Sequence, residues 1–513
     1  HNPNREGLEA AVDSVLCQSY PFWELCACDD ASNQGWIEEY FLGKAQADGR
    51  IRYWRSESHL GISGALNRAR ELTDADFIGL LDQDDLLCPH ALYYVVEALQ
   101  HSQPDLIYSD EEQISQQGQS LRPIFKPDWS PDLLTNCMYL GHFLVFSRAA
   151  LDRAGWFRSE FDTSQDYDLA LRVTEGSAAV RHVPRILYQW RPHAGSTCGD
   201  PGAKPEAHEA GRRALEQAVG RRGWRARVED GPSAGRYRVW RDIIGQPTAS
   251  LIICSQRTRL LRGSVRAIQR ITSYPHRQLV VVHHQVGHGG AMDRLLGGTP
   301  CLLMPYEGPF HFSLMNNAGA RAAGGEILVF LNDDVEPLLP GWLAALIAQV
   351  QRPEVGVAGA KLLYPSGAIQ HAGVAIGILD GAAHPLRNSY GTSYWDWGDT
   401  TRNVTAVTGA CLAVRREVFR ELGGFDLAFP SSYNDVDFCL RARQAGYEVI
   451  YEPACLLRHR EAGSRSPLIA YDERERFFQR WRDKLEASDP FYTPNLTRSS
   501  EDASLGWESP IPR

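Results

Sequence analysis

Along the chain, short runs of apolar and β-branched residues alternate with longer stretches in which apolar positions recur every three or four residues. Thr248 to Ser255 (TASLIICS) and Gln278 to His284 (QLVVVHH) read as strands, since β-branched and apolar side chains suit a pleated, buried surface. Leu92 to Leu99 and Trp342 to Val350 carry the helical period and read as amphipathic helices, as does Gly7 to Cys17. Strands that alternate with helices predict an α/β fold with a mostly parallel sheet covered on both faces. Ligands of such sheets sit beyond the carboxyl ends of the strands, so residues at strand exits are the candidates for chemistry.

The pattern occurs twice. Ser19-Tyr20-Pro21 leads into ELCACDD (Glu24 to Asp30), and Ser273-Tyr274-Pro275 leads at the same spacing into QLVVVHH, which sets His283 and His284 against Asp29 and Asp30. Asn67 to Asp85 (NRARELTDADFIGLLDQDD) matches Asn317 to Val335 (NAGARAAGGEILVFLNDDV), setting Asp82 against Asn332 and Asp84 against Asp334. A third match pairs QDYDLALR (165–172) with NDVDFCLR (434–441). The chain therefore reads as one domain over 1–195, a connector over 196–247 with a helical stretch from Glu206 to Val219, a second copy over 248–465, and a tail over 466–513. In the tail, Phe477, Phe478 and Trp481 fall at helical spacing and predict a helix docked on the second copy. The second copy opens with the strand TASLIICS, whereas His1-Asn2-Pro3 precedes the first helix of copy one, so copy one is expected to lack its first strand.

Composition narrows the partners. A length of 513 residues suits two or three domains, and 43% apolar with 23% charged residues excludes a disordered or fibrous chain. The formal net charge of -10 gives no basis for nucleic acid as a partner. Eleven cysteines without CxxC pairs read as reduced thiols, and no apolar run reaches the ~18 residues needed to span a bilayer. A cytoplasmic protein is expected, peripheral to a membrane at most.

The acidic clusters carry the chemistry. LLDQDD (80–85) and FLNDD (330–334) place carboxylates directly after a buried strand, where so much negative charge is costly without a cation. Oxygen ligands without cysteine favour Mg2+ or Mn2+, which bind one or two carboxylates and then a substrate's phosphates. Asp166 and Asp435 head a second cluster. A carboxylate there could take a proton from an attacking hydroxyl as a general base, whereas Asp168 and Asp437 suit a structural place in the first turn of a helix. A lone histidine follows each, His193 and His459, and the pairing suggests a metal or diphosphate contact. A zinc site of His283, His284 and His288 is disfavoured, because neighbouring strand residues point to opposite faces.

Taken together these motifs resemble family 2 glycosyltransferases of the GT-A fold, in the tandem arrangement of bacterial O-antigen biosynthesis glycosyltransferases. The resemblance is carried in copy one by CDDAS (28–32), LLDQDD (80–85), DLIYSDEE (105–112), FKPDWSPDLL (125–134), SQDYDLALR (164–172) and WRPHAGST (190–197). Copy two adds FLNDDVEP (330–337), VGVAGAKLLYPSGAIQHAGV (355–374), VTGACLAVRREVF (407–419), GGFD (423–426) and NDVDFCLRARQAGY (434–447). It implies inverting transfer from a nucleotide-diphosphate sugar donor to a glycan acceptor that is lipid-linked. It also implies roles: Asp29, Asp30 and Asp82 for the donor nucleotide, with Asn332 and Asp333 on the donor side of copy two; Asp84 and Asp334 for the metal, assisted by His193 and His459; Asp166 and Asp435 as bases. The imidazoles of His283 and His284 depart from the acidic pair, which leaves two other readings: copy two as a glycan-binding module, or the whole chain as a scaffold for envelope assembly.

Overall fold

The apolar run inside TASLIICS forms strand β11 (Ala249–Ser255), every residue of which is buried. In the computed structural model, which describes residues 1–176, 178–192, 205–284, 300–379, 381–390, 396–460 and 471–506, the chain divides into two units. The first comprises residues 1–129 and 134–239, the second 240–506 and 130–133.

The first unit contains β1 (Leu25–Asp29), β2 (Ile51–Arg55), β3 (Phe77–Gly79), β4 (Leu86–Leu87), β5 (Leu106–Ile114), β6 (Ser120–Ile124), β7 (Leu144–Ser147), β8 (Val180–Trp190), β9 (Ala226–Asp230) and β10 (Tyr237–Arg241). After β11 the second unit contains β12 (Arg277–His284), β13 (Leu302–Tyr306), β14 (Ile327–Asn332), β15 (Val335–Pro337), β16 (Val355–Leu363), β17 (Ile369–His371), β18 (Ala375–Ile376), β19 (Ala382–Ala383), β20 (Arg402–Asn403), β21 (Cys411–Arg415) and β22 (Glu448–His459).

In the second unit the sheet runs β13-β12-β11-β14-β21-β16-β22-β15. The strands β13, β12, β11 and β14 are mutually parallel, as the helices between them require, but β21 runs antiparallel to both β14 and β16. The sheet is therefore mixed rather than mostly parallel. The insertion of β21 matters for function, because it brings the residues just before it beside the exit of β14.

The first unit repeats this order as β3-β7-β5-β8-β4, with β1 and β2 forming a separate parallel pair. Among its described residues no strand occupies the place between β1 and β3 that β11 holds between β12 and β14. That place is a cleft of about 200 Å³ lined by Leu8, Val12, Leu25, Ala27, Leu66 and Leu81. The consequence is visible in burial. Strand β12 is buried from Leu279 to His283 and β14 from Ile327 to Leu331, whereas Leu25 to Cys28 and Phe77 to Ile78 are only half-buried.

Late in each unit a helix braces the segment carrying its candidate base. Helix Pro205–Arg221, within the sequence read as a connector, packs on the first unit through Ala207, Ala210, Ala214 and Leu215. Ser164 Oγ donates to the carbonyl of Ala207 at 2.7 Å, and Tyr167 stacks on Tyr237. In the second unit, helix Tyr471–Glu486 buries Phe477 against the ring of Tyr433 at 4.2 Å, and buried Glu473 accepts the N–H groups of Ser431 and Ser432. The aromatic spacing of the tail is thus a docked face.

Candidate active site

The strand registers align the two units residue by residue. Pairing of β3 with β7 and of β14 with β21 equates Asp82, Gln83, Asp84 and Asp85 with Asn332, Asp333, Asp334 and Val335. Pairing of β4 with β8 and of β15 with β22 equates Trp190 with His459. The histidine match therefore fails as drawn from sequence. His193 lies three residues beyond that position and outside the described residues, and the buried ring of Trp190 occupies the place of His459.

In the second unit the predicted residues converge. His459 Nε2 lies 3.1 Å from Asp334 Oδ1 and 3.2 Å from Asn332 Nδ2, while its Nδ1 meets Gln370 Oε1 at 2.6 Å. Asp334 is buried, and a carboxylate beside an imidazole fixed through its far nitrogen is a donor set that fits a divalent cation. Asp333 turns away from this pair. It takes the hydroxyl of Ser255 at 2.6 Å and Arg257 Nη2 at 3.3 Å, which ties the exit of β14 to that of β11, and burial raises its pKa despite both partners.

In the first unit, one carboxylate oxygen each of Asp82 and Asp85 and a ring nitrogen of His142 lie within 4.8 Å of one another. Asp85 is buried, accepts from Tyr188 Oη at 2.9 Å and from the Arg191 N–H at 3.0 Å, and is pushed up to about 6 by burial and by neighbouring Asp82. Asp84 is half-buried, with its Cβ toward Gly7, and stands apart from this group. His142 has no place in the sequence reading, and Asp85, Glu111 and Lys126 enter it only as members of LLDQDD, DLIYSDEE and FKPDWSPDLL, without roles of their own. The available signal was Gly141-His142 directly ahead of the apolar run FLVF, a polar pair entering a buried strand.

The two candidate bases occupy equivalent helix starts, and both helices are entered through backbone that L-residues rarely adopt. Thr163 has φ 77° and Tyr433 has φ 58°, left-handed conformations that cost energy and persist only where surrounding packing holds them. Asp166 is half-buried, and its Oδ1 accepts its neighbour Tyr167's N–H at 2.8 Å. Burial raises its pKa, as does the charge of Asp82, while His142 works in the opposite sense. Asp435 Oδ2 accepts the Gly409 N–H at 2.7 Å and Oδ1 that of Val436 at 2.9 Å. Their neighbours are structural, as the helix positions suggest. Asp168 is fully buried between Arg158 and Arg172, and Asp437 between Arg441 and Arg480, with Trp481 Nε1 at 3.1 Å.

At the exit of β1, Asp29 accepts from the Ser32 N–H at 3.0 Å and from Tyr53 Oη at 3.1 Å. Asp30 accepts from the N–H groups of Leu60 and Gly61 and meets His59 Nδ1 at 2.7 Å. Both buried carboxylates thus shape the loops after β1 and β2. In the second unit His283 is buried opposite Ser255 and Pro305, and His284 bonds the carbonyl of Gly308 beside the ring of Tyr306. No metal-type group of three side chains forms around them among the described residues, and His288 lies outside those residues.

A repeated α/β unit with acidic strand exits and a helix-borne aspartate matches known families in both halves. Residues 1–155 match Glycosyl transferase family 2, and residues 245–482 match Glycosyltransferase like family 2, so the chain belongs to the family 2 glycosyltransferases and carries two such domains in tandem. It is 36% identical to the O-antigen biosynthesis protein RfbC of Myxococcus xanthus, over 98% of this chain and 40% of that protein. Identity is also 36% to an uncharacterized protein of Sinorhizobium fredii, over 98% of this chain and 58% of the relative. The chain thus spans about half the length of these relatives. Among solved structures, GalNAc-T7 with UDP, GalNAc and Mn2+ is similar over 49% of this chain and 51% of its own, at 16% identity and a TM-score of 0.39. Among the described residues, no helix is long and apolar enough to cross a membrane.

Proposed function

We propose that each unit transfers a sugar, with inversion, from a nucleotide-diphosphate donor to a growing cell-envelope polysaccharide. The observation that carries this reading is that both units present a half-buried aspartate at a strained helix start together with a carboxylate–imidazole group at the exit of the equivalent strand, β3 in one and β14 in the other. Asp166 and Asp435 accept the proton of the attacking acceptor hydroxyl. A carboxylate raised by burial, as Asp166 is, holds a proton better at neutral pH and so serves the base role. A divalent cation, Mg2+ or Mn2+, would be held by Asp334 and His459 in the second unit and by the turn from Asp82 to Asp85 in the first, where Asp82 and Asp85 already converge and Asp84 would join them by turning its side chain inward. When bound, it neutralises the charge that develops on the departing diphosphate. Asp29 and Asp30 shape the nucleotide site of the first unit, and Asn332 and Asp333 border that of the second. The similarity to an O-antigen biosynthesis protein supports a polysaccharide product, and the proposal adds a lipid-linked glycan acceptor and a peripheral place at the inner face of the cell membrane.

The test is release of nucleoside diphosphate from a panel of nucleotide sugars with Mn2+ or Mg2+, before and after chelation. Donor-dependent release that chelation abolishes is expected, with Asp84→Asn and Asp334→Asn each removing release from one donor. Release that persists in chelator refutes the metal assignment. Imidazoles in place of an acidic pair at the exit of β12 favour a second reading, a glycan-binding second unit. It predicts that Asp334→Asn leaves turnover unchanged.

A further inference from the structure

The two sites draw their imidazole from different strands. In the second unit it comes from His459 at the end of β22, and the residue ahead of β21 is Ala410. In the first unit Trp190 fills the place of His459, and His142 stands ahead of β7 at the position of Ala410. His142 and Trp190 lie against each other, with ring centroids 5.4 Å apart. One position has lost an imidazole and its neighbour across the sheet has gained one.

Both imidazoles are held in the same manner. Gln370 takes Nδ1 of His459 at 2.6 Å, and Glu111 takes Nδ1 of His142 at 3.3 Å while also accepting its backbone N–H at 3.0 Å. His459 presents Nε2 to Asp334; in His142 Nδ1 is taken by Glu111, a ring nitrogen lies within 4.8 Å of Asp82 and Asp85, and Nε2 is the nitrogen left for a cation. Behind His142 the support is elaborate. Glu111 is buried and paired at 3.0 Å with Lys126, which has no exposed surface and donates to the carbonyls of Ser109 and Leu140 at 2.7 Å. The second unit has none of this, since the registers set Leu362, Gly373 and Val335 against Glu111, Lys126 and Asp85. A buried lysine–glutamate pair adds little net stability for its desolvation cost. A carboxylate behind a histidine is, however, the usual device for fixing a metal-binding imidazole.

We propose that His142 is a ligand for the divalent cation of the first unit, shared with Asp82 and Asp85, and that Glu111 is the positioning residue that fixes its ring. This rests on the metal-dependent reading above and adds to it the ligand set of one site. Binding of Mn2+ alone tests it without any turnover. The full chain carrying Asp334→Asn, which silences the cation site of the second unit, is titrated with Mn2+ while free Mn2+ is followed by electron paramagnetic resonance. Addition of His142→Ala is expected to weaken the remaining site at least about tenfold, and Glu111→Gln by about 10–100-fold. A thermal melt verifies that each variant is folded. Unchanged Mn2+ affinity in folded His142→Ala overturns the assignment and leaves the metal reading intact. Absence of saturable Mn2+ binding before His142 is changed overturns both.

Discussion

Two aspartates two residues apart, Asp435 and Asp437, are assigned opposite roles, and a pair of substitutions separates them. Asp437 has no exposed surface, and its oxygens meet Arg441 Nε at 2.8 Å, Arg480 Nη1 at 2.8 Å and Trp481 Nε1 at 3.1 Å. Asp437→Asn keeps the volume but removes the charge, leaving two guanidinium groups without their anion and weakening the anchor of helix Tyr471–Glu486. Breaking a buried ion pair costs about 3–5 kcal/mol. Because the two arginine side chains are 22% and 37% exposed, water recovers part of that, which places the cost near 3 kcal/mol. For a unit of this size each kcal/mol moves the melting midpoint by about 2–4 °C, so a fall of about 6–12 °C is expected by calorimetry. Asp435→Asn keeps one oxygen for the Gly409 N–H and gives up the bond from the Val436 N–H at a half-buried position, and is expected to cost about 1 kcal/mol. Its effect falls on turnover. Equal melting of Asp437→Asn and wild type, or an equally large fall for Asp435→Asn, would refute the division of labour.

Phe477→Ala removes a fully buried ring stacked on Tyr433 and is expected to cost about 3–5 kcal/mol. It should also expose helix Tyr471–Glu486 to limited proteolysis, and an undigested helix would show that the docking does not depend on that ring. His182 lies between Asp110 and Asp128, each at 3.0 Å; burial alone would lower its pKa, but the two carboxylates raise it above 6.5. Its charged form is thus favoured by folding, and that contribution is complete below pH ~6.5 and lost as pH rises through the folded value. The melting difference between wild type and His182→Asn should shrink from pH 6 toward alkaline pH, and a difference that grows would contradict the pairing.

Much of the site was readable because it occurs twice. A carboxylate after one buried strand is an ordinary turn, but Asp84 and Asp334 at matching exits, and Asp166 and Asp435 at matching helix starts, mark positions where charge recurs against cost. What periodicity does not carry is strand order. Nothing in the run FLVF shows that β7 enters the sheet antiparallel beside β3, so the arrival of His142 next to Asp82 and Asp85 was invisible. The His193–His459 match failed for a related reason, since residue type was aligned where ladder register was needed, and the register selects Trp190. Nothing in FKPDW shows that Lys126 is fully buried, because the partner that makes its burial tolerable, Glu111, comes from the neighbouring strand of a hairpin. The resemblance puts Asp333 on the donor side, but the contacts of its side chain, Ser255 and Arg257, lie 78 and 76 positions earlier in the chain and are not legible from the sequence around it.

The central claim is that Asp166 and Asp435 take the proton of the acceptor hydroxyl in two working transferase sites. Nucleoside diphosphate release from a nucleotide-sugar panel, measured with Mn2+ and a polysaccharide acceptor for wild type, Asp166→Asn, Asp435→Asn and the double variant, tests it most directly. Loss of a general base lowers turnover by about 100-fold or more. Each single variant is predicted to lose transfer from its own donor by that factor while the other donor is still used, and the double variant to lose both. Wild-type turnover in the double variant would contradict the account.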